Sequence, residues 1–157
     1  VIVVGAYGSA SMVVDTPSII GVASVGSRDI FLVSFDNNGG FNWAKSMGGA
    51  GEDIPTAIEI DQIGHIYITG LFYGTSDFDP SGMFNNSLTA NGITYDAFLA
   101  KYTAVGTYIW AYNFGGSDVD AAYGIAIAPN NDVVITGKMR QTVDFDPAGT
   151  FNPKTSW

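Results

Sequence analysis

Short apolar runs alternate with turn residues along the chain. β-Branched and aromatic residues fill these runs, and Gly, Asn and Asp separate them. Such runs are typical of β-strands, and we expect four strands in the central part of the chain, at residues 55–60, 65–73, 96–102 and 107–114. No window shows helical periodicity over about ten residues. The pattern therefore predicts an all-β protein.

The same pattern recurs at a spacing of 67 residues. Five motifs carry this repeat: Asp-x-Phe-Leu at 29 and 96, Trp-Ala at 43 and 110, Gly-Gly at 48 and 115, Ile-Thr-Gly at 68 and 135, and Asp-Phe-Asp-Pro at 77 and 144. About a third of the aligned positions are identical. An earlier partial copy, Val3-Val4-Gly5, matches Ile68-Thr69-Gly70 at a spacing of 65. Repeats of this kind build stacked or radial structures.

The strands are apolar on both faces, which favours radially stacked sheets. Along one strand, Phe31, Val33 and Phe35 fall on one face, and Ile30 and Leu32 fall on the other. A two-sheet sandwich would leave one face polar. The blades of a β-propeller cover both faces. A β-solenoid is the structural alternative, although its rungs are usually much shorter than 67 residues.

We therefore predict four-stranded antiparallel blades of an incomplete β-propeller, with about 2.3 blades in 157 residues. The expected divisions are a partial blade at 1–47, a complete blade at 55–114 and a partial blade at 121–157. About 2.3 blades cannot close a propeller, so we expect the chain to be a fragment of a longer protein. The partners expected first are other blades of the same parent chain or copies of this chain.

Composition narrows the function classes. The chain carries 15 acidic and 6 basic residues, a net charge of −9, and no cysteine. An acidic chain repels phosphate backbones, so we expect no nucleic-acid partner. No apolar run is long enough to span a membrane. The absence of cysteine excludes disulfides and thiol catalysis.

The Asp-Phe-Asp-Pro loops are candidate metal sites. Asp77 and Asp79, and separately Asp144 and Asp146, place two carboxylates one residue apart in a turn. Carboxylate oxygens are ligands that Ca²⁺ prefers, although it needs 6–8 of them. The alternative is a repeated Asx-type turn anchored by its Phe. We predict no other cofactor.

Three other features are predicted to have structural rather than functional roles. The Gly-Gly loops lack the Lys and Ser/Thr of a phosphate-binding loop, and Asp53 and Asp120 are expected to bond backbone amides there. Trp43 and Trp110 recur regularly, which favours packing between blades over a sugar-stacking platform. We expect the single histidine, His65, to be an exposed turn residue, with Tyr67, Tyr73 and Tyr95 as surface residues.

These motifs resemble the seven-bladed β-propeller (SBBP) repeat family of bacterial secreted and cell-surface proteins. The resemblance rests on Asp-x-Phe-Leu-x-x-(Tyr/Phe), a Gly-containing turn, Trp-Ala, Gly-Gly and Ile-x-(Ile/Val)-Thr-Gly, and it covers nearly the whole chain. It implies a β-propeller in an extracellular or surface-anchored parent protein. It brings no catalytic motif to any residue of this chain.

Three functions follow as hypotheses. The first is a non-catalytic extracellular module for adhesion, binding or surface display, with a glycan or protein as the ligand. The second is a structural subunit that self-assembles into a ring or filament. The third is a fragment of a polysaccharide-active enzyme, which would need paired carboxylates about 5–10 Å apart. No residue is predicted to be catalytic.

Overall fold

A computed structural model describes residues 1–8, 12–13, 21–22, 24–82, 86–146 and 153–155, and these residues form strands and turns with no helix among them. The strands are β1 (Ile2–Tyr7), β2 (Met12–Val13), β3 (Gly21–Val22), β4 (Asp29–Phe35), β5 (Phe41–Gly49), β6 (Asp53–Ile60), β7 (Ile66–Tyr73), β8 (Thr75–Asp77), β9 (Ser87–Thr89), β10 (Tyr95–Tyr102), β11 (Tyr108–Phe114), β12 (Ala121–Ile127), β13 (Val133–Lys138), β14 (Thr142–Asp144) and β15 (Pro153–Thr155).

The central sheet has four antiparallel strands in the order β11-β10-β7-β6. Its strands begin and end within two residues of the four predicted from the sequence. Phe98 of β10 pairs with Gly70 of β7, and Thr69 pairs with Leu99, so the register runs without interruption along the two central strands. The predicted fold class, antiparallel blades of an incomplete propeller, is confirmed.

The sheet before it contains the preceding copy of the repeat. Its order is β1-β4-β5-β8-β9, in which β1, β4 and β5 correspond to the second, third and fourth strands of the central sheet. The hairpin β8–β9 arises from the long connection of the central copy, and it pairs with β5 through Gly48 and Gly49. The connection between β7 and β10 therefore pairs with the sheet of the preceding copy.

The following copy supplies two short sheets, β12–β13 and β14–β15. Strand β12 packs beside β6 and β7 of the central sheet. Within the described ranges, β13 pairs with β12 alone. The boundaries predicted at 1–47, 55–114 and 121–157 stay a prediction, since parts of the outer two segments lie outside the described residues.

The largest core lies between the first and the central sheet. Buried aliphatic and aromatic side chains from both sheets form it, including Ile30, Leu32, Met47, Ile66, Ile68, Phe72, Phe78, Phe98 and Tyr102. The rings of Phe72, Phe78 and Phe98 pack together, with centroids 4.8 Å apart for Phe78 and Phe98. This burial of both faces of the central strands is what the doubly apolar pattern predicts.

Candidate functional site

The first Asp-Phe-Asp-Pro loop forms consecutive Asx turns. The Asp79 amide donates to Oδ1 of Asp77 at 2.9 Å, and the Ser81 amide donates to Oδ1 of Asp79 at 2.9 Å. Asn86 Nδ2 donates to the other oxygen of Asp79. Phe78 is buried, and its carbonyl accepts a hydrogen bond from the Tyr102 hydroxyl at 2.9 Å. The carboxylates thus hold the loop in shape.

The second loop repeats the first of these turns, but its Phe145 is half exposed. The Asp146 amide donates to Oδ1 of Asp144 at 3.0 Å. No group of three or more potential metal-ligating side chains occurs among the residues that the structure describes. Calcium binding by Asp77, Asp79, Asp144 and Asp146 stays a prediction, and calorimetric titration of the wild type and Asp79→Asn with Ca²⁺ tests it.

The Gly-Gly loops hold two buried aspartates in the predicted way. The Gly49 amide donates to Oδ2 of Asp53 at 2.9 Å, and the Gly116 amide donates to Oδ2 of Asp120 at 2.8 Å. The Ser76 hydroxyl also donates to Asp53. These contacts confirm that both aspartates bond backbone amides of the crossing between copies. One amide of each loop is therefore bonded to a carboxylate rather than free for a phosphate.

Two further aspartates are buried at the same junctions. Asp29 and Asp96 are almost fully buried, and Oδ1 of each lacks a hydrogen-bond partner. Burial raises the pKa of both carboxyls, and it raises the pKa of Asp53 to about 6 against the opposing hydrogen bonds from Ser76 and Gly49. None of these three carboxyls reaches solvent. We therefore expect them to affect how the stability of the fold depends on pH rather than to bind a ligand.

A surface cavity lies beside the turn between β6 and β7. It has a volume of about 260 Å³ and is lined by Asp61, Gln62, Ile63, His65, Tyr67, Lys101 and Asn131. His65 Nδ1 lies 3.0 Å from Oδ2 of Asp61, and the Tyr67 hydroxyl donates to the same oxygen at 3.3 Å. The Lys101 ammonium lies 4.8 Å from the Tyr67 ring centroid. We call this group the turn cavity.

Asp61 organises the turn cavity. Its Oδ1 accepts hydrogen bonds from the amides of Ile63 and His65, at 3.1 and 2.8 Å. Burial acts to raise the pKa of Asp61, but the hydrogen bonds from the His65 amide and ring bring it below its usual value. Because a carboxylate only accepts, Nδ1 of His65 carries the proton in this contact. The imidazole is thereby held in one tautomer.

The sequence-based expectation for this region was wrong for two residues. Tyr67 is 3% exposed rather than a surface residue. His65 lies in the predicted turn but is only partly exposed, with its ring against Asp61. The signal that could have found the cavity is the departure from the repeat: Asp61, His65 and Tyr67 correspond to Ala128, Asp132 and Val134 in the next copy.

The repeated aromatic residues mostly pack within and between sheets. Trp43 lies against the core, and a Cβ on Gly106 would come within 3.0 Å of its ring, so the turn after β10 covers it. Trp110 stacks on Tyr112 at 5.0 Å and meets Tyr67 edge-on at 6.1 Å. Trp110 therefore stands next to the turn cavity, on the same face of the sheet as Tyr67 and Lys101.

Comparison with known proteins gives distant similarities. No protein-family model matches the chain. An uncharacterized WD repeat-containing protein, L264 of Acanthamoeba polyphaga mimivirus, is 24% identical over 148 residues, which cover 90% of this chain and 11% of that protein. The regulatory protein FlaEY of Caulobacter vibrioides is 26% identical over 158 residues, which cover 94% of this chain and 16% of that protein.

The chain thus spans about a tenth to a sixth of the length of these curated relatives. The described residues contain no helix that is long and apolar enough to cross a membrane. What the comparisons and the fold together support is a β-propeller-like repeat region.

Proposed function

We propose that the chain is a non-catalytic binding module of a larger β-propeller protein, and that it holds a polar ligand in the turn cavity. One observation carries the proposal. Most candidate residues recur in both copies and serve the architecture, whereas the turn cavity is formed where the copies differ. A side chain that the repeat does not require is free to serve a ligand.

The chemistry of the turn cavity suits a polyhydroxylated ligand. A carboxylate, an imidazole, a phenol hydroxyl, an ammonium group and two amide side chains line one opening. Such groups both donate and accept hydrogen bonds, as the hydroxyls of a sugar require. At about 260 Å³ the cavity lies just below the usual range of ligand pockets, roughly 300 Å³ and larger. It suits one sugar ring better than an extended chain.

Adhesion at a cell surface is the setting we propose. The resemblance to SBBP repeats supports an extracellular parent protein. The similarity to a WD repeat-containing protein supports a propeller that binds, since WD repeats form propeller blades. The turn cavity holds one carboxylate, Asp61, and general acid–base hydrolysis of a glycoside needs two. We therefore place binding ahead of polysaccharide cleavage.

Glycan-array screening of the chain, followed by titration of the best ligand, tests this proposal. Replacing His65 or Lys101 with Ala is expected to weaken binding by roughly tenfold, because each removes a polar contact in the cavity. Ile93→Ala is the matched control, because Ile93 is 88% exposed and does not line the cavity. Equal binding by all four proteins would rule out the turn cavity, and turnover of a glycan would show an enzyme instead.

Self-assembly is a second candidate, favoured by unpaired strand edges. Within the described residues, β1 pairs only with β4 and β13 only with β12. Such edges can pair with another chain. Light scattering coupled to size exclusion tests this candidate: concentration-dependent growth supports it, and a stable monomer contradicts it.

A further inference from the structure

Two tyrosines stand directly opposite each other at one end of the central sheet. Tyr73, the last residue of β7, pairs with Tyr95, the first residue of β10. Directly opposed residues project from the same face of a sheet. Their rings are within contact range, with centroids 5.4 Å apart and planes inclined by 57°. Tyr73 is 38% exposed and Tyr95 is partly exposed, so a small molecule in solvent reaches both rings.

A carboxylate beside this pair is placed to take the phenol proton of Tyr95. The Tyr95 hydroxyl donates to Oε2 of Glu52 at 2.6 Å, within the reach of direct proton transfer. Nε of Arg28 lies 3.6 Å from the other oxygen, Oε1, so Glu52 is held between the two groups. The hydrogen bond to Glu52 raises the pKa of Tyr95, and the phenol therefore keeps its proton at neutral pH.

The tyrosine pair is a departure from the repeat. At the spacing of 67, the preceding copy has Arg28 in the place of Tyr95, and the following copy has Arg140 in the place of Tyr73. Each neighbouring copy therefore lacks at least one of the two tyrosines. The repeat architecture does not require the pair, which leaves its chemistry as the feature to explain.

We propose that Tyr73 and Tyr95 form an oxidative modification site, at which hydrogen peroxide and a haem peroxidase couple the two rings into dityrosine. Contact between the rings brings the reacting carbons together, and Glu52 takes up the proton that Tyr95 releases. Glu52 is thus a positioning and proton-accepting residue of the site. This inference is independent of the ligand proposed for the turn cavity.

The coupling is a two-electron oxidation of the pair. Each phenol gives up one electron and one proton to form a phenoxyl radical, and on Tyr95 the proton passes to Glu52. The two radicals join through one carbon–carbon bond between ring carbons next to the hydroxyl-bearing carbons. The hydrogen on each of these carbons then moves to the ring oxygen, which restores both phenols. The two electrons and two protons reduce one molecule of hydrogen peroxide to two molecules of water.

The new bond joins the two middle strands of the central sheet. It links β7 to β10 and closes the connection between them into a covalent loop. A cross-link of this kind restricts the unfolded chain more than the folded one. We therefore expect the coupled protein to unfold at a higher urea concentration than the untreated protein.

A second tyrosine pair of the chain provides an internal comparison. The rings of Tyr102 and Tyr108 have centroids 6.2 Å apart. Tyr102 is fully buried, and its hydroxyl donates to the carbonyl of Phe78, which does not take up a proton as a carboxylate does. We expect no cross-link between these two rings.

Treatment of the folded 157-residue chain with hydrogen peroxide and a haem peroxidase, at low protein concentration, tests the proposal. Dityrosine fluorescence is expected in the monomer. Cleavage on the amino side of Asp77 separates the two tyrosines, so mass spectrometry should find the two peptides linked and lighter than their sum by two hydrogen atoms. Cross-links only at other tyrosines, or only between chains, would overturn the proposal.

Single substitutions test the role of each residue. Tyr73→Phe and Tyr95→Phe keep the ring packing, and each should abolish the cross-link within the chain. Tyr123→Phe is the matched control, since Tyr123 is 56% exposed, and it should couple like the wild type. Glu52→Gln should slow coupling several-fold at pH 7, and the difference should shrink toward pH of about 10, where the phenol loses its proton to solvent. Coupling that persists in either Phe variant, or that is as fast in Glu52→Gln as in the wild type at pH 7, would contradict these roles.

Discussion

At the scale of single residues, aspartates define the junctions between copies. Asp53 and Asp120 accept backbone amides of the Gly-Gly loops, and Asp29 and Asp96 are buried beside them. A Cβ on Gly48 would lie 2.8 Å from both Oδ1 of Asp29 and Oδ2 of Asp53, so these two carboxyls share one small buried space. The negative charges of the two carboxylates repel each other in this space, and burial disfavours the charged form of each.

Asp53 makes stability depend on pH in an unusual direction. Its pKa is about 6 in the folded chain and about 4 when unfolded, so the folded chain binds the proton more tightly. The free energy of unfolding is therefore expected to fall as pH rises from about 4 to about 6 and then to level off. Asp53→Asn removes the charge and keeps one acceptor oxygen for the Gly49 amide, while its NH₂ group faces the Ser76 hydroxyl, which can accept instead of donate. The substitution should therefore raise the free energy of unfolding at pH 8 by roughly 2 kcal/mol.

Urea denaturation of both proteins between pH 4 and pH 8 measures this effect. The two curves should approach each other toward pH 4, where Asp53 is protonated in the folded wild type and about half protonated in the unfolded state. Parallel curves with the same dependence on pH would contradict the role given to Asp53.

Sequence alone could predict some of these residues. The Asx turns of Asp77 and Asp79 depend on local chemistry, and the motif contains it. The amide contacts of Asp53 follow from its place after two glycines. The burial of Asp29 and the packing of His65 on Asp61 could not be predicted from the sequence. Burial depends on the neighbouring copy, and the His65 contact depends on how the turn closes.

At the scale of elements, the hairpin β8–β9 links adjacent copies and was not predicted. Its strands are three residues each, too short to show a pattern of alternating polarity. They form because the backbone of Gly48 and Gly49 is open to pairing on the preceding sheet. The central strands β7 and β10 were predictable, since six residues of each are buried and apolar side chains lie on both of their faces.

Equivalent phenylalanines in the two hairpin loops should contribute very differently to stability. Phe78→Ala would leave a cavity among Phe72, Phe98 and the core, at a cost of about 3–5 kcal/mol. Phe145→Ala should cost about 1 kcal/mol or less, because the ring is half exposed and mainly stacks on Phe114.

The free energies of unfolding of the two variants, measured in urea, check this contrast. Each variant serves as the control for the other, since motif and substitution are the same. Similar losses at both positions would mean that the Phe145 ring is as well packed as the Phe78 ring, contrary to its 46% exposure.

At the scale of the whole molecule, the repeat of 67 residues determines which faces of each sheet are covered by a neighbouring sheet. Each blade packs one face on its predecessor and offers the other to its successor. The central sheet has both neighbours, which explains why β7 and β10 are its most buried strands. The net charge of −9 acts against association between copies of the chain at low ionic strength.

Hydrogen exchange of the folded chain, followed by mass spectrometry, tests the central claim most directly. The claim is that each second strand of the repeat is protected only when a third strand pairs with it. Segment 66–73, which lies between β6 and β10, should exchange slowly. Segment 133–138, which pairs only with β12 among the strands that the structure describes, should exchange much faster. Equal protection of the two segments would contradict the account.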